Sequence, residues 1–192
     1  LMICAEAGIF GAAAFLMGNI GAAQLAAHTI ALQIAALAFQ VPFGVGQAST
    51  IRVGYFYGAR DSEGMARAGW AGIGIALLFM SITASAMVLV PDYLLAIYID
   101  PWAASNAAMV AFATRYLLVA AAFQLVDGVQ AVAAGALRGL QDTRMPMWIA
   151  VFSYWVPGFG LAMTLGFATP LAGVGVWIGL ATGLAFAAAL LT

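Results

Sequence analysis

Long uncharged runs, separated by short polar ones, lay out this chain. From Ala7 to Ile51 there is no Asp, Glu, Lys or Arg, a run of 45 residues. As one helix it would be about 67 Å long, at a rise of about 1.5 Å per residue. One crossing of an apolar layer about 30 Å thick takes about 20 residues, so the run predicts two spans. Gly18-Asn19-Ile20-Gly21 is a turn-forming cluster and marks the break. The first span then covers residues 1–17 and the second 22–57, the latter bent by Pro42 with Gly44 and Gly46. Arg52 to Arg67 reads as a polar loop, 68–90 as a third span, and Pro91 to Ser105 as a connector. The fourth span, 106–139, carries Arg115 and Asp127, and a third connector follows from Arg138 to Arg144. Met145 to Thr192 is again uncharged and predicts two spans, 145–166 and 171–192, turning near Gly166–Gly173.

Composition agrees with this pattern. The chain is 66% hydrophobic and 7% charged, where a soluble domain carries about 25% charged residues. The expectation is an all-α integral membrane protein of six transmembrane helices. The long unbroken apolar runs exclude a β-barrel. A net charge of −1 with no basic stripe argues against a nucleic-acid partner. The single Cys4 rules out an internal disulfide and a cysteine metal cluster. Neither His-Glu-x-x-His nor Gly-x-Ser-x-Gly occurs, and His28 is the only histidine, so neither an enzyme nor a metal centre is expected. No cofactor is expected either. The start at Leu1, inside an apolar run without a basic flank, reads as a fragment rather than a signal peptide.

The arginines orient the spans. Arg52, Arg60, Arg67, Arg138 and Arg144 fall in the connectors after spans two and four. The connectors after spans one, three and five hold none, so the arginine-bearing side is expected to be cytoplasmic, with both chain ends there. Arg115, near the outer end of span four, is expected to snorkel to the headgroups. Tyr93, Tyr98 and Trp102 fit an interfacial aromatic belt. Gly54-x-x-x-Gly58 and Gly175-x-x-x-Gly179-x-x-x-Gly183 have helix-packing spacing.

Two acids stand isolated inside spans, Glu6 and Asp127. An unpaired carboxylate at mid-bilayer costs on the order of 3 kcal/mol even on a lenient scale. A sequence that keeps one uses it for a cation, a proton or a fixed partner. Counting helical rise from the predicted span ends puts the two acids within roughly 5 Å in depth, near the midplane. Two carboxylates in one low-dielectric cavity resist being charged together, so a proton and a cation would compete for them. That competition is the physical core of cation/proton exchange. Phe123, one turn before Asp127, offers an aromatic face to a cationic ligand, or simply packs. Gln33, Gln40 and Gln47 recur every seven residues and share a face; they, like Gln124 and Gln130, either line a wet cavity or hydrogen-bond between helices. His28 reads as a packing histidine in preference to a proton relay.

Several of these residues fall into a familiar arrangement. Glu6 is followed by small residues and Phe10; Leu25-Ala-Ala-His28-x-Ile30-Ala-Leu leads to Val41-Pro42, then Arg52-Val-Gly54 with Gly58-Ala59. Further on come Asp127-x-x-Gln130 and Gly135-Ala-Leu-Arg138-Gly139-x-Gln141-Asp142-Thr-Arg144-x-Pro146. The chain resembles the carboxy-terminal half of a MATE (multidrug and toxin extrusion) transporter of the NorM type. The resemblance implies one six-helix lobe, residues 1–192, of a twelve-helix antiporter, with an amino-terminal lobe as partner. It implies Glu6 and Asp127 as the coupling acids for H⁺ or Na⁺, and export of small organic cations across the inner membrane by rocking of the lobes. Phe123, Gln33 and Gln124 are the candidate cavity or substrate contacts. Thr29 stands where the family commonly has Gln, and Phe123 where some members have Tyr; loss of that oxygen leans the coupling toward H⁺. The last motif's loop is expected to cap helix ends. The alternative is a lipid-linked sugar flippase of related two-lobe architecture. That function favours basic residues around a pyrophosphate, and the midplane here holds acids and no Arg.

Overall fold

The computed structural model describes the backbone of residues 2–191 and the side chains of residues 7–191. Eight α-helices follow in order: α1 Met2–Ile20, α2 Ala22–Gly58, α3 Ser62–Leu89, α4 Pro91–Leu95, α5 Ala107–Gly139, α6 Arg144–Ser153, α7 Phe159–Phe167 and α8 Gly173–Leu191. A 3-10 turn, Ala104–Asn106, leads into α5, and a π-helical segment, Tyr154–Gly158, joins α6 to α7. Helices meet their backbone hydrogen bonds internally, which an apolar surround requires.

Among the described residues five helical stretches are long and apolar enough to cross a membrane: Ala22–Gly58, Ser62–Leu89, Ala104–Gly139, Arg144–Phe167 and Gly173–Leu191. Six were expected. The first expected span is α1, whose described part, Ala7–Ile20, is apolar but falls in the shorter class.

The expected loop from Arg52 to Arg67 is helical at both ends. Only Ala59, Arg60 and Asp61 separate α2 from α3. Arg60 adopts a left-handed backbone, φ 57°. Its N–H donates to the Tyr57 carbonyl at 3.1 Å and the Asp61 N–H to the Phe56 carbonyl at 3.0 Å. This is a Schellman closure of α2. Asp61 then starts α3 by accepting from the Gly64 N–H at 2.9 Å. The turn between α5 and α6 repeats the device. Gln141 has φ 67°, the Asp142 N–H donates to the Leu137 carbonyl at 3.0 Å, and Asp142 Oδ1 accepts from the Arg144 and Met145 N–H groups. The expected helix-capping role of that loop is met by Asp142. Arg52 and Arg67 thus lie within α2 and α3 and not in the loop between them.

α2 runs on as helix through Pro42. In the stretch Arg144–Phe167, Pro157 falls inside the π segment. Proline lacks the N–H of a regular turn and its ring crowds the preceding carbonyl. A widened turn accommodates both.

α5 is the central helix, packed against α2, α3 and α8. Its seam with α2 is made of backbone. A Cβ on Gly135 would lie 2.3 Å from the Gly46 carbonyl oxygen, and one on Gly139 would lie 2.7 Å from that of Thr50. Thr50 Oγ1 lies in this seam and donates to the Gly135 carbonyl at 2.8 Å. Of the two glycine patterns, Gly175, Gly179 and Gly183 press α8 onto α7 and the π segment, and Gly54 meets Gly139, while Gly58 faces open space.

Candidate functional site

Asp127 lies on α5, 6% exposed. It borders a cavity of about 230 Å³ whose other walls come from α1 and α2: Phe10, Leu32, Ala35, Ala36 and Phe39, with Phe123 and Gln124 from α5. The α2 wall follows directly from helical periodicity, since positions 32, 35, 36 and 39 form one stripe. The close α2–α5 seam toward the arginine-bearing end holds that stripe against α5. Beside Asp127, a Cβ on Gly128 would come within 2.9 Å of Met80 Cγ, so the absence of a side chain lets α3 pack there.

Phe123 is 4% exposed and stacks on Trp177 of α8, with centroids 5.7 Å apart and planes 25° apart. Trp177 also stacks on Tyr116 at 5.8 Å and receives His28 edge-on at 5.5 Å. The Tyr116 hydroxyl donates to Gln24 Oε1 at 3.0 Å, which also accepts from the Gly173 N–H at 3.1 Å. A chain of aromatic rings therefore backs the cavity wall at Phe123 and is fixed at its far end by hydrogen bonds. His28 sits in that packing, buried, as expected of a packing histidine; among the described residues neither ring nitrogen has a hydrogen-bond partner.

Gln124 is buried and ties α5 to α3. Its Nε2 donates to Thr83 Oγ1 at 3.0 Å and to the Met80 carbonyl at 3.3 Å. Its Oε1 is buried and, among the described residues, accepts no hydrogen bond. Gln130, one turn beyond Asp127, donates from Nε2 to the Tyr154 hydroxyl. So Gln124 and Gln130 both serve as interhelical hydrogen bonders, and Gln124 also borders the cavity.

Gln33 lies elsewhere. It is exposed on α2, as are Gln40 and Gln47, and Gln40 bonds only back to the Ala36 carbonyl, at 3.4 Å. The stripe they form lies beside the cavity wall and points out of the lobe. Neither reading of that stripe, wet cavity or interhelical bond, is realised within these helices.

The Glu6 side chain lies outside the described residues. Its backbone belongs to α1, four residues before Phe10, which does border the Asp127 cavity.

Sequence reasoning missed Trp177, Phe39 and the α2 stripe. Nothing in a run of apolar residues marks which ones face a cavity. For Phe39 and the stripe, the only available signal was a 3.6-residue period anchored on a neighbouring acid.

Chemically the site is one carboxylate and one amide oxygen among phenylalanine faces. Among the described residues no three His, Cys, Asp or Glu side chains converge.

A family model named MatE matches residues 1–164. The chain is 50% identical over 186 residues to a protein of Mesorhizobium japonicum named "Probable multidrug resistance protein NorM", covering 97% of this chain and 40% of that protein. It is 44% identical to a protein of Burkholderia vietnamiensis named "Multidrug resistance protein NorM", again over 97% of this chain and 40% of the relative. The chain thus spans about two fifths of the length of these relatives. Among solved structures, the eukaryotic MATE transporter AtDTX14 aligns with a TM-score of 0.82 at 21% identity, over 99% of this chain and 42% of that one. A MATE structure in a bent conformation aligns with a TM-score of 0.82 at 20% identity, over 96% of this chain and 41% of that one.

Proposed function

The chain belongs to the MatE family, and from that premise we propose that it is the carboxy-terminal lobe of a secondary multidrug exporter. Its substrates are small organic cations, moved outward in exchange for H⁺ or Na⁺ by alternating access, with no enzymatic step. The lobe sits in the inner membrane, with its arginine-bearing turns and both ends in the cytoplasm.

The observation that carries this reading is Asp127, 6% exposed at a cavity walled by Phe10, Phe39 and Phe123. In a low-dielectric wall a carboxylate charge is costly. A proton, a Na⁺ ion or an organic cation each relieves that cost, and only one can do so fully at a time. The phenylalanine faces favour an organic cation over a hydrated one. Glu6, on the helix whose Phe10 borders the same cavity, is the second acid of the exchange. The exposed stripe of Gln33, Gln40 and Gln47 meets the amino-terminal lobe, where Gln33 becomes a substrate contact across the gap. Rocking of one lobe against the other exposes the acids to alternate sides.

The test uses the full-length protein in inverted vesicles. Uptake of an ethidium-type cation is driven by a pH gradient or a Na⁺ gradient in wild type, Glu6→Gln and Asp127→Asn. Loss of gradient-driven uptake in both folded variants supports the exchange, and the gradient that works in wild type names the ion. Normal uptake in both would reduce the two acids to packing residues.

A further inference from the structure

A second recess, which shares no lining residue with the Asp127 cavity, lies between α2 and α3 near their connecting turn. Its volume is about 480 Å³. Val45 and Ala48 of α2, with Ala71 and Ile75 of α3, line its apolar part, and Arg52 and Arg67 stand at the end nearer the turn. The helices are drawn together behind it at Gly72, where a Cβ would lie 2.3 Å from Ser49 Oγ. A groove is left in front.

Its dimensions and charges fit together. Arg52 to Val45 and Arg67 to Ile75 each run about 10–12 Å along the helix axis. One leaflet of a bilayer has an apolar depth of about 15 Å. Around the groove α3 shows Trp70, Ile75 and Leu78, all more than half exposed, as a lipid-facing helix does. The Arg52 guanidinium lies 5.4 Å from the Phe56 ring centre, and among the described residues it pairs with no carboxylate. Arg67 meets Glu63 at 3.8 Å, with the two side chains 72% and 80% exposed. A pair so exposed is weak and readily exchanged for a better anion. Asp61, the other nearby acid, is engaged in capping α3.

We propose that this groove binds an anionic phospholipid, with its phosphate between Arg52 and Arg67 and one acyl chain along Val45, Ala48, Ala71 and Ile75. Basic recesses between membrane helices bind anionic headgroups in this way, and guanidinium forks suit phosphate geometry. The site is independent of the transport reading, since none of its residues borders the Asp127 cavity.

The experiment is native mass spectrometry of the full-length protein in detergent, titrated with phosphatidylglycerol or phosphatidylcholine. A basic residue near an anionic lipid contributes a factor of about five, so Arg52→Gln/Arg67→Gln should weaken phosphatidylglycerol binding about thirtyfold and leave phosphatidylcholine unchanged. Ala71→Trp keeps both arginines but fills the groove at an exposed position, and should lose the same lipid. Arg144→Gln, a basic residue elsewhere on the same side, should bind as wild type does. Retention of phosphatidylglycerol by the double variant would overturn the proposal. So would an equal loss in Arg144→Gln, which would mean net charge alone. Displacement by inorganic phosphate with Ala71→Trp unaffected would mean an anion site without a lipid chain, and would overturn it too.

Discussion

Phe123 lies flat against Trp177, their centroids 5.7 Å apart, while the same Phe123 borders the cavity that holds Asp127. The ring facing the cavity is therefore held by a second ring that never touches it. Phe123→Leu keeps the apolar volume and removes the π face. In vesicle uptake the KM for an ethidium-type cation should rise about 2- to 30-fold, the range of one cation–π contact. Trp177→Leu should shift KM the same way by loosening Phe123, whereas Trp102→Leu, exposed in the connector, should not.

The α2–α5 seam leaves no room for a Cβ at Gly135. Gly135→Ala places a Cβ 2.3 Å from the Gly46 carbonyl oxygen, a backbone group that cannot rotate away. It should lower stability by about 1–3 kcal/mol, read as a fall in melting temperature of the full-length protein in detergent. Gly58→Ala, with open space around it, should stay within about 0.5 kcal/mol of wild type.

Thr50 bridges the same seam, bonding both the Gly46 carbonyl of its own helix and the Gly135 carbonyl of α5. Thr50→Val keeps the shape and removes the cross-helix donor. A loss of about 0.5–1.5 kcal/mol is expected, the range of interhelical hydrogen bonds in membranes. No loss would mean that the backbone approach at Gly135 suffices by itself.

The two arginine-side turns carry opposing local effects that can be separated. Asp61→Ala removes the α3 cap and should cost about 1 kcal/mol. Arg60→Gly and Gln141→Gly relieve left-handed backbone at φ 57° and 67° and should each stabilise by about 1 kcal/mol. Thermal melts of the three variants check both signs. A destabilising Arg60→Gly would mean that the arginine side chain, not its backbone, matters at that turn.

The span layout was legible because burial in lipid demands long apolar runs, and charge can stay only between them. Asp127 was legible for the same reason: an acid in such a run stands out by its cost. α2 ends at Gly58, against an expected end at 57, but α3 starts at Ser62 and not at 68, because Glu63 and Arg67 belong to the helix. Long basic side chains reach the headgroups from a continuing helix, so charge marks the edge of the apolar layer and not the end of the helix. Among the described residues five helical stretches are long and apolar enough to cross a membrane, and Ala7–Ile20 of α1 is a shorter apolar helix.

By itself, then, the sequence determined that this is a multi-pass helical membrane protein, which two acids fall within its apolar runs, and which glycine series could bring helices together. Only the tertiary structure decided that Gln33 points away from the Asp127 cavity while Leu32, Ala35, Ala36 and Phe39 wall it. It also decided that Trp177 stands behind Phe123, and that Gly54 closes a seam while Gly58 does not. The reason is physical. Partition into lipid depends on composition summed along a helix, which can be read in order. Which face meets which depends on rotation about each axis, and in a uniformly apolar helix that rotation is set by close packing with neighbours distant in sequence.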